Sequence, residues 1–224
     1  MDFVYSILHF FQGGGLFMLP ILTVAAVALA IGLERYVTLT RLGIVNRRAW
    51  GEIEPTLTSG DFDKAREVCA EGSTAIARLL RMGLSRQGAV RRREDVEIAM
   101  EESMMEIVPQ LEKRTHYLAT FANLATLLGL LGTVSGLIHA FAAVATVNPA
   151  EKANLLSASI SEAMNCTAFG LMTAVPIVFV HALLQTKTTE LINSLETASV
   201  KFLNAITDRQ PTRGQARLEL AQAV

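Results

Sequence analysis

Three stretches of the chain carry no Asp, Glu, Lys or Arg: Gly13 to Leu33, Tyr117 to Val147, and about Ala163 to Thr186. A helix rises ~1.5 Å per residue, so roughly 20 residues cross the ~30 Å hydrocarbon layer, and each stretch predicts a membrane-spanning helix. The second is longer than a bilayer requires and is expected to tilt or to project beyond the lipid. Pro176 lies inside the third and is expected to free the carbonyl of Met172 and bend the helix. Between the first two spans the pattern changes to amphipathic. Asp61 after Gly60 reads as an N-cap, followed by apolar Phe62, Ala65, Val68 and Cys69. Val96, Met100, Met104, Ile107 and Leu111 then repeat every three or four residues with acids between them, a buried stripe leading toward the second span, with Pro109 as a candidate kink. Beyond the third span Leu191, Leu195, Phe202 and Ile206 form another stripe, so that helix is expected to continue out of the membrane and pack on the earlier stripes. From about Thr207, with Pro211 and Gly214, the chain reads as a loose tail.

Basic residues orient these spans, because cytosolic flanks of membrane helices are enriched in Lys and Arg. Of the 20, the segment from Glu34 to His116 holds 14, the chain beyond Thr186 five, and the loop after Val147 only Lys152. The predicted order is therefore an outer segment 1–12, span 13–33, cytosolic helical domain 34–116, span 117–147, periplasmic loop 148–162, span 163–186, cytosolic helix 187–207 and tail 208–224, with the N-terminus periplasmic and the C-terminus cytoplasmic.

Composition agrees with a small polytopic membrane protein: 51% of residues are apolar. The near balance of 20 basic and 21 acidic side chains supplies no field for nucleic acid. No Lys or Arg precedes Arg35, so the basic region of a cleavable signal peptide is missing and the first apolar segment is expected to stay in the mature protein. Cys69 and Cys166 fall in cytosol and membrane respectively, and both are expected to be thiols. The four histidines, at 9, 116, 139 and 181, have no ligand spacing, and no metal site is expected. Arg91-Arg92-Arg93 reads as a solvated face. No nucleophile with a base in local reach suggests an enzyme.

Two motifs carry candidate chemistry. In the second span, Gly132 and Gly136 form a G-x-x-x-G pair, and Gly129 adds a third close-packing position. Thr126, Gly129, Thr133, Gly136 and Ala140 fall on one small, partly polar stripe able to line a pore. No Gly-Lys-Ser/Thr follows, which excludes a phosphate loop. The third span opens Ser159-Ile160-Ser161-Glu162. Either Ser159 and Glu162 form a capping box, or Glu162 is a carboxylate at the mouth of an ion path. Asn165 and Thr167 add polar groups that need partners inside a bundle, and Gly170 and Pro176 shape the helix.

These residues resemble the MotA/TolQ/ExbB proton channel family, the TolQ/ExbB branch in particular. Gly32-Leu33-Glu34-Arg35 is similar to that branch's "ER" end of the first span, Leu127 to Gly136 to its LLGLLGTVxG core, and Ile160 to Pro176 to its IxEALxxTAxGLxxAxP core. The resemblance implies a homopentamer around two copies of a single-span ExbD/TolR-like partner whose membrane aspartate takes up the proton. By position it assigns Thr133 and Thr167 to the face toward that partner and Glu162 to the family's acid on the third helix. Asn165, Cys166 and His139 depart from the pattern and leave open siderophore uptake, envelope constriction or gliding as the process served.

The fold class expected is thus an all-α, ring-forming membrane protein of three spans with long cytosolic helical extensions. Its expected role is a motor stator in the bacterial inner membrane, using protons as coupling ion and no cofactor, embedded in membrane lipid and driving a TonB/TolA-like effector. No charged side chain sits at mid-membrane, and threonine hydroxyls cannot take up charge at neutral pH, so the titratable stop must come from elsewhere. The alternative is a non-conducting structural or sensory scaffold built on the same glycine packing.

Overall fold

The computed structural model describes residues 15–86 and 93–207. The outer segment 1–12, His9, the tail 208–224 and Arg91-Arg92 lie outside the described residues. Among the described residues six helices follow in order: α1 (Met18–Ser59), α2 (Phe62–Glu71), α3 (Ala75–Arg86), α4 (Arg93–Glu112), α5 (Thr115–Val144) and α6 (Lys152–Thr207). Among the described residues there is no strand. α1, the α4–α5 stretch and α6 each contain a segment long and apolar enough to cross a membrane.

Helix ends follow local chemistry. α1 does not stop where its apolar run stops at Glu34 but continues, through Pro55, to Ser59. It ends in a Schellman motif, in which the Gly60 N–H donates to the Leu57 carbonyl (3.1 Å) and the Asp61 N–H to that of Thr56 (3.0 Å). Gly60 supplies the left-handed turn (φ 76°). Asp61 then caps α2 as expected, its carboxylate accepting from Lys64 N–H at 3.1 Å. α3 is capped twice: Thr74 Oγ1 accepts from the Ala77 N–H (3.1 Å) and Asn46 Oδ1, reaching from α1, from the Ile76 N–H (3.4 Å).

One expectation is corrected. The segment 148–162 is helical from Lys152 onward, because nothing between Lys152 and the third span breaks a helix; Ser159 and Glu162 therefore lie within α6 and form no capping box. α4 contains Pro109 and runs past it to Glu112, and the break before α5 falls at Arg114, a left-handed residue (φ 66°). α6 likewise runs through Pro176 without interruption.

The chain divides into two compact units. One comprises Met1–Val37 with Arg114–Gln185, the other Thr38–Lys113 with Thr186–Val224. The first holds the three spans and exposes large apolar side chains, among them Leu127 (61% exposed) and Ile138 (62%). A protein in water rarely tolerates such a surface, whereas lipid or neighbouring helices cover it without cost. The second is an ordinary aqueous bundle. Leu79, Leu80 and Leu84 of α3, Met100 of α4, Ile53 of α1 and Phe202 of α6 are buried in its core, and the stripe beyond the third span packs there as the periodicity predicts.

Candidate ion path in the membrane unit

In α5, Ala122, Ala125, Gly129, Gly132 and Ala140 are buried. In α6, Ala163, Cys166, Gly170 and Ala174 are buried, four or so residues apart. These two small-residue stripes meet. A Cβ on Gly170 would stand 2.8 Å from the Ala125 carbonyl oxygen and 3.0 Å from the Gly129 Cα, and a Cβ on Gly129 would stand 3.3 Å from the Thr167 Cα. The backbones themselves are the contact surface. Gly132 receives the Cys166 side chain, and Gly136 leaves room for Ala163, whose Cβ a methyl there would meet at 2.8 Å. Glycine is required because no side chain fits, which is how helices associate where lipid supplies no hydrophobic drive.

A polar bond crosses the seam: Thr167 Oγ1 donates to the Gly129 carbonyl at 2.9 Å. The other two threonines turn back on their own helix, Thr133 Oγ1 donating to Leu130 O (2.6 Å) and Thr126 Oγ1 to Ala122 O (3.1 Å). Thr126 is exposed and Thr133 half-buried. Seven residues apart, they sit on one flank of the seam, beside the glycines rather than among them.

Glu162 and Asn165 belong to a different face. At about 100° per residue they lie some 60° apart on α6, while Glu162 is about 140° from Thr167. Glu162 is exposed and abuts Gly15, a left-handed residue (φ 69°) where a Cβ would collide with the carboxylate. Within one chain, then, the five polar residues read as an ion path divide into a threonine flank and a Glu162/Asn165 face. His139 is held by its own helix, its Nδ1 lying 2.8 Å from the Ser135 carbonyl oxygen.

Sequence reasoning named Gly129, Gly132, Gly136 and Gly170 but missed Ala163 and Cys166 as their counterparts. The signal was present: Cys166, Gly170 and Ala174 repeat every four residues, a small-x-x-x-small pattern on α6. A groove of about 650 Å³ elsewhere in this unit, walled by Leu22, Leu29, Ile177 and Leu184 among others, is almost wholly apolar, with Tyr36 and Thr173 its polar side chains. No group of three or more metal-ligating side chains occurs among the described residues.

The family model described as the MotA/TolQ/ExbB proton channel family matches residues 71–197, more than half of the chain. The Tol-Pal system protein TolQ of Haemophilus influenzae is 33% identical over 109 residues, covering 49% of this chain and 46% of the relative. TolQ of Pseudomonas aeruginosa is 32% identical over 109 residues, 49% and 47% of the two chains. A putative biopolymer transport protein, ExbB-like 1 of Synechocystis, is 31% identical over 168 residues, 74% of this chain and 65% of the relative. The match thus spans about half the length of the TolQ relatives.

Proposed function

The chain belongs to the MotA/TolQ/ExbB proton channel family, a membrane family without enzymatic chemistry, and on that premise we propose that it is the stator subunit of a motor driven by the proton gradient across the bacterial inner membrane. Five copies form a ring around two copies of a single-span ExbD/TolR-like partner. The partner's membrane aspartate carries the proton, and the movement that results is passed to a TonB/TolA-like effector for envelope transport, envelope integrity or gliding. The gradient suffices, since the potential alone supplies about 2.3 kcal/mol per charge per 100 mV.

The observation that carries this reading is the polar inventory of the spans. The hydroxyls of Thr126, Thr133 and Thr167 are oriented by carbonyls, so each oxygen keeps lone pairs to accept a proton donor, yet none can hold a charge. Such a flank can guide a partner's carboxyl group but cannot replace it. Glu162, exposed about three turns inside the start of α6, can gather protons from the outer side.

The same hydroxyl bonds favour a second reading, a packing scaffold without ion flow, because each threonine is satisfied inside the chain. Thr133→Val separates the two. Its hydroxyl bonds only its own helix, so the substitution keeps shape and assembly. The motor reading expects gradient-dependent function to be lost with the ring intact by native mass spectrometry. Retained function, or a stable wild-type monomer, contradicts it.

A further inference from the structure

Two exposed helix faces of the cytosolic unit are alike in spacing and opposite in charge. On α1, Arg41, Ile44, Val45 and Arg48 follow the i, i+3, i+4, i+7 rule and form one outward stripe, with Ile44 51% and Val45 49% exposed. On α4, Ile98, Glu101, Glu102 and Met105 follow the same rule, with Ile98 61% and Met105 74% exposed. Among the described residues, neither arginine and neither glutamate of these stripes has an ion pair. Each stripe thus presents apolar side chains and unpaired charge to water, and what one lacks the other offers.

Spacing decides what can cover them. Along α1, Arg48 lies three residues, ~4.5 Å, beyond Val45; along α4, Glu102 and Glu101 lie three and four residues, ~4.5–6 Å, before Met105. With the two helices antiparallel and Met105 set on Val45, both glutamates come beside Arg48.

We propose that these faces are the two sides of one subunit contact: α4 of one copy packs on the cytosolic part of α1 of the next. The contact is head-to-tail, the kind that closes into a ring when its rotation allows. It rests on the ring reading above and supplies its cytosolic interface. Burial of Met105 against Ile44 and Val45 gives the contact substance. The charges set register and exclude the symmetric alternative, in which α4 meets α4 and glutamates face glutamates.

Disulfide crosslinking of the full chain in membranes tests this, since a bridge forms only when the two Cα atoms come within ~7 Å; the native Cys69 and Cys166 are buried. Oxidised Val45→Cys/Met105→Cys protein is expected to run as a ladder ending at the ring size, while each single variant gives no crosslinked product. Glu101→Arg/Glu102→Arg in the double-cysteine background should reduce the ladder at least fivefold, and adding Arg48→Glu should restore it, which a folding defect would not allow. Native mass spectrometry of wild-type protein distinguishes the failures. A ring without a ladder overturns this contact and leaves the ring reading standing; a monomer overturns both. Crosslinks from Met105→Cys alone, or to a different protein in place of the ladder, also overturn the contact.

Discussion

The membrane unit and the second unit share α1 and α6 and pack by opposite means. Where α5 meets α6, the contact is made by the absence of side chains: Gly170 lies against the Ala125 carbonyl and the Gly129 Cα. In the core of the second unit the contact is made by the largest side chains available, with Phe202 wholly buried and Gly83 merely leaving room for its ring. Solvent explains the difference. Water drives apolar area together and rewards bulk, whereas lipid is as apolar as leucine and leaves only close approach and hydrogen bonds to hold helices. One helix, α6, carries both solutions along its length.

Removing bulk should therefore hurt most in the second unit. Phe202→Ala is expected to destabilise it by about 3–5 kcal/mol, read as a lower denaturation midpoint of that unit. A smaller loss, under about 1 kcal/mol, would mean that the ring is not a core anchor.

Adding bulk should hurt most in the membrane unit, and two alanines sharpen the contrast. At Gly170 the new methyl meets backbone, which cannot yield, and a cost of about 1–3 kcal/mol is expected. At Gly83 it meets Phe202 and the Met100 sulfur, side chains that can shift. Thermal stability of the detergent-solubilised protein should fall further for Gly170→Ala than for Gly83→Ala; the reverse order breaks the comparison.

The hydrogen bond across the seam is worth less. Thr167→Val removes the bond to Gly129 and should cost about 0.6 kcal/mol, the average for such bonds between membrane helices. Thr133→Val, which loses only a bond within its own helix, should cost less still. Equal losses would mean that the seam bond adds nothing to packing.

The three spans were legible in the sequence because freedom from charge over a bilayer's length has few other causes. The amphipathic stripes were legible too, since their periodicity is the burial itself. The continuity of α1 to Ser59 was less so: Glu34 and Arg35 end an apolar run, but charges do not end a helix, and the stop signal was Gly60. The start of α6 at Lys152 was hidden for the same reason. The break at Arg114 has no local signal, being a left-handed residue that is neither Gly, Asn nor Asp. Of the candidate site, the glycines were legible because a small residue in lipid has one main use. The division between the threonine flank and the Glu162/Asn165 face was not, because it depends on which side of α6 each residue points to.

Cys69 shows what the aqueous core does to a titratable group. Burial pushes its thiol up to about 11, partly offset by the Arg81 guanidinium. Because the folded value lies above the unfolded one, the thiol favours the fold at neutral pH, and that contribution is lost as pH climbs past the ordinary thiol range toward about 11. Labelling of Cys69 by a thiolate-selective reagent near pH 8 should be slower in the folded chain than in the unfolded one by on the order of 100-fold. Equal rates would show that this core opens freely.

The central claim is that this subunit frames a proton path without supplying the group that carries the proton. Purified protein in liposomes loaded with a pH-sensitive dye tests it most directly. The account predicts that vesicles holding this chain alone stay proton-tight under an imposed gradient, and that flux appears only when a single-span partner with a membrane carboxylate is added. Rapid dye response from the chain alone, abolished by Glu162→Gln, would contradict it and make Glu162 the working carboxylate.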